Sequence, residues 1–290
     1  MSPIMKSRLV HQIRAELGEG MHLFPDGKMC WVDLPNGRAF SWDGKTNNLW
    51  YSQKEELSKV LPWVNGSILL SQTAIIFLNN ESIEVERITL HDEASNLRCS
   101  DGMVLPNGEL LVGILDRDLT PNKSKLIHVK LDRTIVEIVS LASISNGITL
   151  LADGHRVVWT DSPRKELEVF NFDPETGTVS GRQSFAKLPD NIGLIDGICA
   201  DSKGGVWAAL WAGSGIAHFD AMGNLVDLIR FDAPNVTSCA FDRDDNLLIT
   251  TGTATLSEED LERFPGAGGL WFIPQEEHGA HRAPTFVAQF

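Results

Sequence analysis

The sequence lacks any uninterrupted apolar run of about 18 residues, the length that a membrane-spanning helix requires. Its first twenty residues contain no apolar core of the length found in signal peptides. Basic residues are also too few for a polyanionic partner: 25 Lys and Arg face 39 Asp and Glu, which gives a net charge of −14. We therefore expect a soluble, cytoplasmic protein that binds neither nucleic acid nor membranes.

Cysteine pairs at C-x-x-C spacing are absent, as are HExxH motifs and close histidine pairs that would favour zinc. Without C-x-x-C spacing, we do not expect disulfides, and we predict reduced, mostly buried thiols at the four cysteines. These are Cys30, Cys99, Cys199 and Cys239.

Helical periodicity is nearly absent as well. Only part of residues 51–61 and the segment from Ser257, where Ser257 and Asp260 resemble a capping box, favour helices. Elsewhere a Gly-containing turn precedes four to six alternating or continuous apolar residues, which is the signal of a strand. The tryptophans inside these strands, including Trp31, Trp159 and Trp207, are expected to fill spaces between packed sheets.

The turns recur at spacings of 39, 42, 46, 50 and 42 residues. Six units of about 44 residues match one four-stranded blade each, so we predict an all-β, six-bladed β-propeller that spans residues 1–290 as a single domain. Ring closure is expected to pair a strand from residues 7–16 or from residues 284–290 with the opposite terminus. The turn markers are Asp26, Asn65, Asn107, Asp153, Lys203 and Asp245.

Leaving out the second marker, which is the weakest turn, polar residues lie seven positions before every marker. In a propeller the innermost strands line the central channel, so equivalent strand starts converge on one mouth of that channel. The alternative is that polar residues open strands only because they leave a loop, with Asn146-Gly147 forming a hairpin turn. Carboxylate and amide oxygens suit hard cations, which favours the channel. The residues reached are Glu19, Ser100, Asn146, Asp196 and Ser238.

Five motifs in one order extend the pattern over nearly the whole chain: "LGEG" at 17–20, "ISNGITLLADGHRVVWTD", "IDGICADSKGGVWAALW", "PNVTSCAFD" and "GAGGLW". In this order the chain resembles the family that joins gluconolactonases, regucalcin (senescence marker protein) and luciferin-regenerating enzyme, all six-bladed propellers. The resemblance implies that Glu19, Asn146 and Asp196 bind one divalent metal ion. It also implies that Arg98 and Ser100 bind substrate, with Ser100 standing where the family has Asn.

The resemblance is weaker at Asp118, which falls near the position where some family members have an acidic residue that binds sugar hydroxyls. The chain departs from the family pattern at four positions, none of which is an expected metal ligand, and the change at Ser100 leaves only a short hydroxyl to contact substrate. The departures are Met21, Leu23, Ser100 and Ile195.

Two carboxylates and one amide are oxygen ligands for a cation such as Ca²⁺, Mg²⁺ or Mn²⁺, and family members with zinc or iron leave the ion open. The sequence and the resemblance together predict a hydrolase of small sugar lactones, with the cation polarising the lactone carbonyl and Asp196 activating water. Hydrolysis of another ester or a phosphoester, and a non-catalytic calcium-binding propeller, are the alternatives. We expect a monomer or weak dimer.

Overall fold

Short apolar segments separated by Gly, Asn and Asp turns fold into antiparallel hairpins along the chain. The computed structural model describes residues 7–290. In chain order the first twelve strands are β1 (Arg8–His11), β2 (Gly18–Leu23), β3 (Met29–Asp33), β4 (Arg38–Trp42), β5 (Asn47–Ser52), β6 (Leu57–Trp63), β7 (Gly66–Ser71), β8 (Ala74–Asn79), β9 (Glu84–Thr89), β10 (Leu97–Val104), β11 (Leu110–Asp116) and β12 (Ser124–Val129). The next twelve are β13 (Ile135–Ala142), β14 (Ser145–Leu150), β15 (Arg156–Asp161), β16 (Glu166–Asp173), β17 (Thr178–Lys187), β18 (Leu194–Ala200), β19 (Val206–Trp211), β20 (Gly215–Phe219), β21 (Leu225–Arg230), β22 (Asn235–Phe241), β23 (Leu247–Gly252) and β24 (Leu270–Ile273).

These strands form six four-stranded antiparallel sheets, the blades of a β-propeller. Blades 1 to 5 are β2–β5, β6–β9, β10–β13, β14–β17 and β18–β21, and blade 6 has the order β22-β23-β24-β1. The predicted all-β, six-bladed propeller is therefore confirmed. The interpretation of residues 1–290 as one domain remains a prediction, and its first six residues lie outside the described part of the chain.

Ring closure uses the N-terminal of the two candidate segments. Strand β1 pairs antiparallel with β24, with Arg8 opposite Phe272, and so supplies the outermost strand of blade 6. The C-terminal candidate, residues 284–290, adds no blade strand. It makes one parallel bridge from Ala288 to Trp63, and the Gln289 backbone amide donates to the Gly108 carbonyl.

The core lies between the blades. Six clusters of buried apolar residues occupy the six blade-to-blade interfaces. Trp31, Trp159 and Trp207 are almost fully buried in three of these clusters, as predicted. Because both faces of each blade are covered in this way, the inner strands have apolar residues on both faces.

One helix prediction is correct and one is wrong. Helix α1 (Glu258–Arg263) begins after Ser257, which forms the expected capping box with Asp260. Residues 51–61, by contrast, contain the end of β5 and the start of β6. Leu57, Val60 and Leu61 are completely buried between blades, so their helix-like spacing results from burial on both faces of a strand. A second short helix, α2 (Gln275–His278), and a 3-10 turn at Ser162–Arg164 were not predicted.

Each innermost strand carries a bulge or irregularity at the same level of the propeller, near the start of the strand. Such bulges bend a strand and redirect its side chains, and they are frequent beside active sites. Here they interrupt the alternation of faces where the predicted ring of polar residues lies. The register shifts fall at Glu19/His22, Leu57/Lys59, Cys99/Gly102, Asn146/Ile148, Ile195/Ile198 and Val236/Ser238.

Two further predictions concern bonding and membranes. All four cysteines are free, three of them buried and Cys199 half-buried, as predicted. No helix within residues 7–290 is both long enough and apolar enough to cross a membrane.

Candidate active site

Asn146 lies in innermost strand β14, while the tight turn of that hairpin is formed around Asp153 and Gly154. The next residue, Gly147, contacts the innermost strand of the neighbouring blade. A Cβ atom at Gly147 would lie 2.3 Å from the backbone oxygen of Asp196, closer than packed atoms can approach. Glycine at this position therefore allows β14 and β18 to approach each other, which brings Asn146 next to Asp196.

The Asn146 Nδ2 group donates a hydrogen bond of 2.5 Å to Asp196 Oδ1, and Asn146 Oδ1 accepts from the Gly147 amide at 3.1 Å. A half-turn of the amide would direct Oδ1 toward Asp196 instead. Two oxygens facing each other repel unless a cation lies between them. After one rotation of the amide, the two oxygens would suit a cation placed between them.

Glu19 lies on β2 and joins this cluster from the other side of the channel. Its pKa is raised well above the ordinary value by burial and by the negative charges of Asp196 and Asp101. The pKa of Asp196 is raised to about 8, chiefly by burial and further by Asp101, even though the Asn146 hydrogen bond lowers it. Burial is the main cause of both raised pKa values and neighbouring carboxylates add to it, so a bound cation would offset the charge of both groups.

Asp101 and Lys59 form a buried ion pair close to the cluster, and neither residue was predicted to have a role at the site. Lys59 Nζ lies 2.5 Å from Asp101 Oδ1, and both side chains are less than one-tenth exposed. Asp101 also accepts hydrogen bonds from the backbone amides of Gly102 and Ile148. With three donors on its oxygens, Asp101 connects blades 2, 3 and 4. Lys59 could have been noticed in the sequence, because it is the single charged residue in the apolar run "LSKVLPWV".

Arg98 lies at the start of β10 and contributes positive charge to the Glu19 and Asp196 carboxylates. Its Nη1 group donates to the Cys99 carbonyl at 2.8 Å, and its Nε lies 3.5 Å from Glu56 Oε2. Burial lowers the pKa of this guanidinium, which remains charged at neutral pH. The structure therefore brings Arg98 to the same mouth as Glu19, Asn146 and Asp196.

The other predicted residues are more peripheral. Ser100 is buried, its Oγ has no hydrogen-bond partner among the described residues, and it lies beside Gly113. Asp118 is exposed on the loop after β11, at the same end of blade 3 as Arg98, without a described contact to the cluster. Ser238 accepts a hydrogen bond of 3.2 Å from the Met21 amide and thereby joins blades 6 and 1.

The donors present fit a hard divalent cation, since two carboxylates and one amide oxygen from three strands leave further positions for water. Groups of three or more His, Cys, Asp or Glu side chains arranged to hold a metal ion were not found in residues 7–290. The predicted set is consistent with that result because its third member, Asn146, is an amide. The raised pKa values and the Asn146–Asp196 contact are the structural features that favour a cation.

The opposite end of the channel contains a cavity of about 80 Å³ below the bulges. Its lining includes His22, Lys59 and Cys199 from the inner strands and residues 282–286 from the C-terminal segment. His22 Nε2 is buried without a partner among the described residues, and burial lowers the pKa of His22 to about 3. The C-terminal segment therefore covers the end of the channel that lies away from the carboxylates.

Comparison with known proteins extends these observations. A sequence model of the "SMP-30/Gluconolactonase/LRE-like region" matches residues 17–253. Pentonolactonase XacC from Haloferax volcanii is 28% identical over 271 residues, which cover 88% of this chain and 89% of that protein. Regucalcin from Xenopus laevis is 26% identical over 259 residues, covering 86% and 87%.

Among solved structures, the crystal structure of a calcium-binding protein, regucalcin, from Agrobacterium tumefaciens matches with a TM-score of 0.89 at 19% identity, covering 99% of this chain and 97% of that one. This likeness establishes a shared fold. The family model spans most of the chain and includes the strands that carry Glu19, Arg98, Asn146 and Asp196. The protein therefore belongs to the SMP-30/gluconolactonase/LRE-like family.

Proposed function

We propose that this protein hydrolyses small sugar lactones and that Glu19, Asn146 and Asp196 hold the divalent cation that the reaction requires. The observation that carries the proposal is the meeting of Asn146 and Asp196 at 2.5 Å on neighbouring inner strands, beside Glu19 and Arg98. Membership of a family with lactonases among its members supports the substrate class.

When bound, the cation would supply Lewis-acid polarisation of the lactone carbonyl. Asp196 is the proposed general base, because its carboxylate is buried and is oriented by the Asn146 amide. A carboxylate held in this way can accept a proton from water beside the substrate. Glu19 then acts through its charge and as a ligand.

Arg98 would orient the ring, since its guanidinium is fixed at Nη1 by the Cys99 carbonyl and lies at the mouth of the channel. A planar, always-charged donor suits the hydroxyl and carbonyl oxygens of a sugar lactone. Ser100 and Asp118 are proposed to contribute less, because Ser100 is enclosed and Asp118 lies on an exposed loop. The cytoplasmic location and the monomeric or weakly dimeric state remain predictions.

The test is hydrolysis of a substrate panel by protein supplied with Ca²⁺, Mg²⁺, Mn²⁺, Zn²⁺ or Fe²⁺. The panel contains five- and six-membered aldonolactones, an alkyl ester and a phosphoester. Hydrolysis is measured as the release of protons or of product. We expect turnover of aldonolactones by wild type and by Asp190→Asn, a matched change at an exposed aspartate on the loop before β18, and a loss of about 100-fold or more in Asp196→Asn.

Turnover of the phosphoester in place of the lactones would replace the proposed substrate class. Metal binding without hydrolysis of any member of the panel would favour the non-catalytic alternative, a calcium-binding propeller.

A further inference from the structure

One carboxylate at the mouth of the channel is shared by two arginines. Glu56 Oε1 accepts a hydrogen bond of 2.6 Å from Arg117 Nη2, and Glu56 Oε2 lies 3.5 Å from Arg98 Nε. The Glu56 and Arg98 side chains are 17% and 14% exposed, whereas Arg117 is 41% exposed. Glu56 thus lies between a surface arginine and the arginine of the candidate active site.

Glu56 immediately precedes β6, the inner strand of blade 2. Two residues further on, the Ser58 carbonyl packs against Gly20, which follows Glu19. Arg117 begins the loop after β11 that also carries Asp118. One side chain therefore connects the blade 2 rim, the Asp118 loop and Arg98.

Arg98 interacts electrostatically with carboxylates of two groups, Glu56 on one hand and Glu19 with Asp196 on the other. Glu56 is its strongest negative neighbour, and Glu19 and Asp196 act on it more weakly. Glu56 Oε2 is enclosed and makes no hydrogen bond among the described residues. Its interaction with Arg98 is thus purely a charge contact, and that contact holds the guanidinium on the blade 2 side of the mouth.

We propose that Glu56 is a positioning residue that keeps Arg98 away from Glu19 and Asp196. This inference rests on the proposed function, in which Glu19 and Asp196 bind a cation and Arg98 binds substrate. Without the Glu56 charge, the guanidinium would pair with Glu19 and Asp196, because they are the other carboxylates that act on it. Arg98 would then compete with the metal ion and would no longer face the substrate.

The test measures metal affinity by titration calorimetry and, separately, the kcat and KM of lactone hydrolysis. Glu56→Gln is expected to weaken metal binding by about 10- to 100-fold, the range for loss of a residue that orients a metal site, and to raise KM more than it lowers kcat. Glu55→Gln is the matched control. The neighbouring Glu55 accepts a hydrogen bond from Ser71, and among the described contacts it pairs with neither Arg98 nor Arg117.

A second substitution separates competition from simple disruption. In the double variant Glu56→Gln/Arg98→Met the competing cation is gone, so metal affinity is expected to return to within about threefold of wild type while KM stays high. A merely structural role for Glu56 would leave the affinity of the double variant as low as that of Glu56→Gln.

If Glu56→Gln does not fold, Glu56→Asp takes its place, with an intermediate loss of metal affinity expected from its shorter reach. Unchanged metal affinity in the folded Glu56 variants would overturn the inference. Absence of metal binding in the wild type would instead overturn the proposed function, so the two failures are distinguishable.

Discussion

Asn146 and Asp196 are 50 residues apart in the sequence, yet their side chains meet at 2.5 Å across two neighbouring blades. The contact depends on Gly147, where a side chain would collide with the Asp196 backbone. Two of the three proposed metal ligands are therefore positioned by the packing of one glycine.

Gly147→Ala tests this packing. A Cβ atom 2.3 Å from the Asp196 carbonyl oxygen forces β14 and β18 apart, and we expect a loss of about 1–3 kcal/mol in the free energy of unfolding. Because the separation moves Asn146 from Asp196, metal affinity should fall too. Urea unfolding and metal titration measure the two effects, and a stable variant with normal metal affinity would mean that the two strands are not in close contact.

Lys59→Met tests the buried ion pair. Removing the ammonium leaves Asp101 buried and uncompensated, which costs about 3–5 kcal/mol of stability. Lys28→Met is the control, since Lys28 pairs with Asp26 at a site where both side chains are about half exposed and such pairs contribute about 0–1 kcal/mol.

The double variant Lys59→Met/Asp101→Asn removes the orphaned charge and should recover part of the lost stability. Equal losses in the two single lysine variants, measured by urea unfolding, would show that the Lys59 pair is not shielded from water.

Asp196 contributes to the pH dependence of stability in the metal-free protein. Burial raises its pKa to about 8 from an ordinary value of 3.8, so the folded state holds this proton more tightly than the unfolded state. The resulting stabilisation is complete below about pH 4 and is lost as pH rises toward and through 8. Unfolding free energies at pH 5 and pH 9 should differ less in Asp196→Asn than in wild type, and an identical pH dependence in both would contradict the shift.

The two chain termini should differ in importance. Deleting residues 1–11 removes β1, the outermost strand of blade 6, and we expect loss of cooperative unfolding because ring closure is broken. Deleting residues 284–290 removes no blade strand but removes the apolar contacts of Phe286 and Ala288. We therefore expect this variant to fold but to unfold at a lower temperature than wild type. Thermal unfolding followed by circular dichroism compares the stability of the two deletion variants. A larger loss in the C-terminal deletion than in the N-terminal one would contradict the assignment of ring closure.

Much of the fold was predictable because each blade repeats the same local signals. The turns at Asp26, Asn107 and Asp153 mark the innermost hairpins of blades 1, 3 and 4, and counting back from the first and third reaches Glu19 and Asn146 at the channel mouth. The second unit, set aside as weak, follows the same register: seven residues before Asn65 lies Ser58, which opens the inner strand of blade 2 beside Gly20.

The remaining parts of the site depend on contacts that no local pattern encodes. Glu56 and Lys59 lie in a segment whose apolar spacing imitates a helix, so strand β6 and these two charged residues were missed together. The bulges in the inner strands also leave no sequence periodicity, although they decide which side chains reach the channel. Pairing of Lys59 with Asp101, 42 residues away, becomes visible only when blades 2 and 3 are packed together.

In the proposed function, Glu19, Asn146 and Asp196 hold a cation on which lactone hydrolysis depends. The most direct measurement is the rate of aldonolactone hydrolysis by metal-stripped protein during titration with the activating ion, with thermal unfolding recorded in parallel. We expect activity and stability to rise together, with about 2.7 kcal/mol of stabilisation at 100 times the dissociation constant, and we expect Asn146→Ala to lose both responses. Full activity of the metal-stripped protein, or metal-dependent activity that survives in Asn146→Ala, would contradict the proposed function.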